Sequence, residues 1–140
     1  LVGSEMCIRD RVNETRTIIL YEAPHKLVRT LRDLRETLGN RRMTLCRELT
    51  KKHETAFHST IDDLITHYEK EKPLGECVLV IEGKSRQELK EEAVASWEEI
   101  SIEEHMEIYA KQGMSRKDAM KQVAKDRGVS KRDIYSYLMK

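Results

Sequence analysis

The chain has 140 residues, of which 39% are hydrophobic and 36% are charged, and its formal net charge is +1. This composition is typical of a soluble protein with one domain and a small appendage, and it provides no overall charge that would attract nucleic acid. No apolar run approaches the roughly 18 residues of a membrane helix. The three cysteines, Cys7, Cys46 and Cys77, lack metal-ligand spacing, so reduced thiols and a cytoplasmic location are expected.

Residues 1–11 show no regular hydrophobic period and resemble translated adapter sequence. We therefore expect this segment to be non-native and leave it out of the fold prediction, as is done with an expression scar. On this interpretation the chain is truncated at its N-terminus and begins within a larger protein.

Residues 12–83 combine short apolar runs with an amphipathic helical pattern, which predicts an α/β domain. Pro24 suits the first turn of a helix, leucines recur at helical spacing after it, and Gly39 suits its C-terminal cap. The most apolar run is typical of a strand that is buried on both faces. Strands are expected over residues 17–21, 41–47 and 76–82, and helices over residues 24–38 and 60–68.

The sequence changes character after the last predicted strand. Residues 84–100 are rich in acidic side chains and are expected to form a linker. Residues 101–140 are expected to form a small basic helical module, since residues 113–140 contain eight basic and three acidic side chains, a net charge of +5. Ser115 and Ser130 each begin a pattern that resembles a capping box, so the module resembles a helix-turn-helix. Its basic residues suit either phosphate binding or a solvated surface.

Two polar clusters follow predicted strands and are the strongest indication of a functional site. Residues 21–26 follow the first strand, and residues 47–54 follow the second. Because both clusters come at strand ends, we expect them to line one cleft, and a solvated charged loop is the simpler alternative. No metal site is predicted, because the histidines lack ligand spacing. The sequence also contains no glycine-rich phosphate loop and no serine at a strand-to-helix elbow.

Four segments carry a family resemblance: IILYEAPHKL (18–27), CRELTKKHE (46–54), GECVLVIEG (75–83) and SKRDIY (130–135). They resemble the bacterial RsmI family, the ribosomal RNA small subunit methyltransferases I of the tetrapyrrole methylase superfamily. The resemblance extends over about residues 15–140, and the first two segments are its most specific part. It implies the C-terminal part of a two-domain α/β enzyme: a mixed-sheet domain and the helical module, without the N-terminal domain.

In this family a cytidine of 16S rRNA is methylated on its ribose 2′-hydroxyl, with S-adenosylmethionine held between two α/β domains. The resemblance therefore implies this reaction, with the small ribosomal subunit as the partner. Lys26 stands where arginine is expected, which keeps the charge but weakens a bidentate phosphate contact. The implied site residues are Tyr21, Leu49 and Thr50 for the cofactor; Glu22, His25 and Glu48 as candidate bases; and Arg47 and Lys51 for RNA. The charge of the helical module adds four candidate RNA contacts near its helix N-termini: Arg116, Lys117, Lys131 and Arg132.

Two alternative functions stay open at this point. One is a nucleic-acid-binding adaptor whose helix-turn-helix binds duplex DNA. The other is a methylase that acts on a tetrapyrrole, against which the basic module argues. On the preferred interpretation the chain holds only part of its site, so we expect it to be inactive alone. Whether it forms a homodimer is left open.

Overall fold

The computed structural model describes residues 5–140, and the chain divides into two compact units, residues 1–85 and residues 86–140. Of the predicted non-native segment, residues 1–4 lie outside the described part. No described helix is both long enough and apolar enough to cross a membrane. The elements of the first unit are α1 (Glu5–Arg9), β1 (Ile18–Glu22), α2 (Leu27–Leu38), β2 (Arg42–Arg47), β3 (Thr55–Thr60), α3 (Ile61–Lys70) and β4 (Cys77–Ile81), and those of the second are α4 (Arg86–Glu98), α5 (Ile102–Lys111), α6 (Arg116–Asp126) and α7 (Lys131–Leu138).

The first unit is built on a sheet in which the described strands have the order β1-β4-β2-β3. All three pairings are antiparallel, and Leu20 and Leu45 both lie opposite Leu79. Strands β1 and β2 therefore run in the same direction, are joined through α2, and hold β4 between them, which is a split β-α-β arrangement. The predicted α/β class is confirmed, and the described strands pair antiparallel where a mixed sheet was expected. The reason is that the two parallel strands are not neighbours.

Helices α2 and α3 form where the sequence predicts helices, and both pack on one face of this sheet. A 3₁₀ turn at Pro24–Lys26 leads into α2, which ends at Gly39, whose φ of 80° favours glycine. Thr60 caps α3 by accepting a hydrogen bond from the backbone N–H of Asp63. The buried positions on the two helices are Leu27, Thr30, Leu31, Leu34, Leu38, Ile61, Leu64 and Tyr68.

None of the described helices covers the opposite face of the sheet to the same extent. On β4, Leu79 is fully buried, whereas its neighbours Val78 and Val80 are only half-buried. On β1, Tyr21 is 59% exposed. The prediction that the third strand is buried on both faces is therefore wrong, because the leucine-rich side of α2 and the inner side of α3 both pack on the same face.

Two elements of the first unit were not predicted. Strand β3 is a polar edge strand that pairs with β2 alone, and four of its six residues are exposed, so it lacks the apolar alternation of a strand in a core. Helix α1 lies in the segment that was left out of the fold prediction, yet its Ile8 is 2% exposed and joins the core. Residues 5–9 therefore form a helix of the first unit, whereas the fold prediction left them out.

The second unit is a small group of helices, and its core lies between α5, α6 and α7. Ser115 and Ser130 cap α6 and α7 as predicted, and Gly128, with φ of 66°, makes the turn between them. Residues 86–98, within the expected linker, form α4 instead. No residue of α4 is buried, so the helix leaves no hydrophobic period in the sequence. The core residues are Met120, Val123, Ala124 and Ile134, surrounded by Ile102, Met106, Tyr109 and Leu138.

A buried polar network joins α4, α5 and α6. His105 is completely buried, and its ring stacks on Trp97 with the ring centroids 3.9 Å apart. Arg127 Nε donates to His105 Nδ1 over 3.1 Å, so Nε2 carries the proton and donates to Asp126 over 3.2 Å. Burial lowers the pKa of His105, with the Arg127 charge acting in the same direction. His105 is thus held in one neutral tautomer.

Candidate functional site

The ends of β1 and β2 meet at one edge of the sheet. Glu22, the last residue of β1, and Arg47, the last residue of β2, both lie opposite Cys77, the first residue of β4. The insertion of β4 between two strands of the same direction brings these ends together. The two polar clusters therefore lie on one side of the first unit, as expected.

An open groove of about 670 Å³ lies at this edge. Of the predicted residues, Tyr21, Glu22 and Leu49 line it. The other five predicted residues of this unit do not line the groove, but each is at most two positions in the sequence from a residue that does. They are His25, Arg47, Glu48, Thr50 and Lys51. Residues that sequence analysis missed also line the groove, because only the antiparallel pairing places the start of β4 there: Glu76, Cys77 and Val78.

Both carboxylate oxygens of Glu22 are occupied by neighbours in the fold. The side chain is 7% exposed, and it accepts hydrogen bonds from Thr30 Oγ1 over 2.7 Å and from the backbone N–H of Ala23 over 2.9 Å. Glu22 thus ties the end of β1 to helix α2. This arrangement favours a positioning function over proton transfer.

Glu48 clamps the loop after β2 to the segment before β4. Its carboxylate accepts a hydrogen bond from the backbone N–H of Glu76 over 2.8 Å, and its own N–H donates to the Glu76 carbonyl over 3.1 Å. Lys51 Nζ lies 3.4 Å from Glu48 and 3.3 Å from Glu76. The Glu76 N–H lowers the pKa of Glu48, and the Lys51 and Arg47 charges act in the same direction. The carboxylate is therefore held as an anion, which makes it a weak base.

The clamp presents Leu49 at the tip of a tight turn. Glu48 and Thr50, on either side of it, have φ of 51° and 65°, in the left-handed region that non-glycine residues rarely adopt. The Thr50 N–H donates to Glu54, and Arg47 Nε donates to the Leu74 carbonyl. Leu49 itself is 40% exposed, and within residues 5–140 its backbone N–H and C=O have no hydrogen-bond partner.

The predicted RNA-binding residues of the second unit lie near a second groove, of about 520 Å³. Arg116 and Lys117, at the start of α6, and Lys131, at the start of α7, all line it. Arg132 does not line it. In the described part of the chain, no group of three or more His, Cys, Asp and Glu side chains is arranged to hold a metal ion.

The chain resembles curated proteins named ribosomal RNA small subunit methyltransferase I. It is 43% identical to the Bacillus subtilis protein over 119 residues, which are 85% of this chain and 40% of that protein. It is 42% identical to the Halalkalibacterium halodurans protein over 133 residues, 91% of this chain and 45% of that protein. For the Synechocystis protein the identity is 34% over 132 residues, 94% of this chain and 46% of that protein.

No protein-family model matches the sequence. The chain spans slightly less than half the length of the curated relatives that it matches. Identity of this level over nearly the whole chain agrees with the four segments that carried the resemblance. The chain therefore belongs to the ribosomal RNA small subunit methyltransferase I family.

Proposed function

We propose that the protein to which this chain belongs methylates the ribose 2′-hydroxyl of a cytidine in small-subunit rRNA, using S-adenosylmethionine. This chain contributes one wall of the cofactor site, in its first unit, and a basic RNA-binding surface, in its second. The observation that carries the proposal is the meeting of the β1 and β2 ends at Cys77, which forms the groove at the sheet edge.

The groove suits one wall of a site for a nucleoside-sized cofactor. Its volume of about 670 Å³ lies within the usual range of small-molecule sites. The Leu49 side chain offers an apolar surface, and its backbone N–H and C=O are free to bind the polar edge of an adenine ring. Tyr21 adds an aromatic surface that is 59% exposed. Thr50 keeps the turn in place through its N–H, so it acts beside the cofactor by positioning Leu49.

His25 is the strongest of the three candidate bases. S-adenosylmethionine supplies an already activated methyl group, so the chain's own task is to orient the ribose and accept its proton. Glu22 and Glu48 are held by hydrogen bonds within the fold. The His25 ring is exposed, lies between the groove residues Pro24 and Lys26, and has no hydrogen-bond partner among the described residues. Replacing it with alanine should slow methyl transfer by about 100-fold while leaving cofactor affinity unchanged.

The RNA contacts come from both units. In the first, Arg47 and Lys51 flank the groove and carry the charge that a phosphate requires. In the second, Arg116, Lys117 and Lys131 lie around a common groove, and Arg132 lies next to Lys131 in the sequence. Salt dependence is measured as the slope of the logarithm of the RNA-binding constant against the logarithm of the salt concentration. Each substitution that removes one phosphate contact should make this slope less steep by about 0.7 to 0.9.

The test is a chimera in which this chain replaces the matched segment of the Bacillus subtilis relative. The chimera is incubated with radiolabelled S-adenosylmethionine and small ribosomal subunits that lack the modification, and the labelled nucleoside is identified after digestion. We expect label on the 2′-oxygen of a cytidine, and none with this chain alone. Label on a base nitrogen would contradict the proposal, and so would an inactive chimera that folds and binds the cofactor.

A duplex-DNA-binding adaptor is the rival function, since α6, the Gly128 turn and α7 form a basic helix pair. Competition separates the two proposals. Small-subunit rRNA should displace a bound RNA probe far better than duplex DNA does if the methyltransferase proposal holds, and the reverse order would favour the adaptor.

A further inference from the structure

We propose that the groove between α6 and α7 binds one unstacked base of single-stranded RNA, with the Tyr135 ring stacked on the base and Arg116, Lys117 and Lys131 on the flanking phosphates. This inference rests on the proposed function for its choice of RNA as the ligand. It adds a base-binding site to a surface that would otherwise contact phosphates alone.

The groove joins an aromatic ring to cationic groups. Tyr135 lies one helical turn after Lys131, so both side chains lie on the same face of α7. Arg116 and Lys117 approach from the first turn of α6, and all four residues line the groove of about 520 Å³. This volume lies within the usual range of small-molecule sites and leaves room for one base.

Tyr135 is not required by the core of its own unit. Its neighbour Ile134 is 1% exposed and packs into that core, whereas Tyr135 is 55% exposed. Met120 and Leu138 also line the groove, so it has apolar surface beside the ring. An exposed tyrosine beside such surface is suited to stacking against the flat face of a base.

The cations of the groove are free to bind phosphate. Within residues 5–140, Arg116, Lys117 and Lys131 form no ion pair. The two nearby carboxylates are used in helix caps: Asp118 accepts from Ser115 Oγ over 2.7 Å, and Asp133 accepts from Ser130 Oγ over 2.6 Å. The groove therefore combines an aromatic face with three cations that form no ion pair with a carboxylate in the described part of the chain.

A single strand fits this combination better than a duplex does. The bases of an A-form duplex are stacked on one another, so their faces are not available to a tyrosine, whereas loops and single strands expose them. An acidic peptide would satisfy the cations but would leave the ring without a planar partner. The chemistry therefore favours a single-stranded segment of RNA.

The experiment measures binding of the chimera to a short fluorescein-labelled oligocytidylate by fluorescence anisotropy. Tyr135→Ala should weaken binding by about tenfold, because stacking on an aromatic ring contributes about 1–3 kcal/mol per base. Tyr135→Phe, which keeps the ring, should bind as the parent does. The matched control is Tyr137→Ala, which removes a ring of the same helix that is 48% exposed and does not line the groove, and it should have no effect.

Equal losses for Tyr135→Ala and Tyr137→Ala would overturn the inference. So would equal binding of an RNA duplex, of polyglutamate or of an oligonucleotide without bases. Thermal melts of each variant establish that it is folded. The outcome is separable from the test of the proposed function: methyl transfer without a Tyr135 effect refutes only the base site, and Tyr135-dependent binding without methyl transfer refutes only the reaction.

Discussion

Replacing Gly75 with alanine should disrupt the turn that presents Leu49. Gly75 has φ of 79°, and a Cβ atom at this position would overlap Glu48 Oε1 and lie 2.6 Å from its Cγ. The carboxylate would have to move away from the Glu76 N–H that it binds. Alanine thus combines an unfavourable backbone conformation with a steric overlap.

The chain contains a matched control for the backbone effect. Gly39 has φ of 80°, nearly the same as Gly75, but a Cβ atom there would have no neighbour within 4 Å. Gly39→Ala should therefore lower the free energy of unfolding only through its backbone, by about 1–3 kcal/mol. Gly75→Ala should lower the free energy of unfolding by this backbone amount and by about 1–3 kcal/mol more, because of the steric overlap with Glu48. The difference between the two variants measures the contact with Glu48.

Urea denaturation of this chain gives the free energies of unfolding, and isothermal titration of the chimera gives the cofactor affinity. We expect Gly75→Ala to be the less stable variant and to bind S-adenosylmethionine up to about tenfold more weakly, since a displaced turn loses one hydrogen bond. Gly39→Ala should leave the affinity unchanged. Equal stability of the two variants would refute the steric argument. Equal cofactor affinity would show that the turn around Leu49 does not belong to the cofactor site.

Three further predictions concern buried polar groups. Thr30→Val should lower the free energy of unfolding by about 1.5–3 kcal/mol in urea titration, since it leaves the buried Glu22 carboxylate without its hydroxyl donor. Thr30→Ser keeps a hydroxyl at this position and should retain most of that free energy. Tyr68→Phe should leave the melting temperature unchanged or raise it, because the Tyr68 hydroxyl is buried without a hydrogen-bond partner in the described part of the chain. The pKa of His105 is lowered in the fold, so its contribution to stability should be complete above its unfolded pKa of about 6.5 and fall as the pH drops below that value. His105→Gln should flatten this pH dependence in urea titrations, and a parent protein whose stability is constant through this range would contradict the assignment.

The strand–turn–helix segment was predictable because its signals are local. The leucines after Pro24 repeat at helical spacing, and Gly39 ends the helix where the pattern stops. Strand β3 was not predictable in this way, since it is an edge strand that takes its position from pairing with β2. Helix α4 escaped prediction for a related reason: it buries no residue, so its sequence carries no apolar period.

The location of the candidate site was easier to predict than the contacts of its residues. Two polar clusters after strands indicated a common edge, and the pairing of Glu22 and Arg47 with Cys77 agrees with that location. The partners of the carboxylates were not visible in the sequence. Thr30 lies eight residues from Glu22, and Glu76 lies 28 residues from Glu48, so only the fold shows that both carboxylates are held in place.

The conformation of the turn around Leu49 links these contacts to ligand binding. Left-handed backbone at Glu48 and Thr50 is unfavourable by about 1–3 kcal/mol at each residue, and it persists because Glu76 and Glu54 hold both residues by hydrogen bonds. Glycine at position 48 would relieve the strain but would remove the carboxylate that forms the clamp. The turn is therefore ordered by contacts within the first unit, before any ligand arrives. A ligand that uses the free backbone groups of Leu49 does not have to order the loop, and this preorganisation is what a cofactor wall requires.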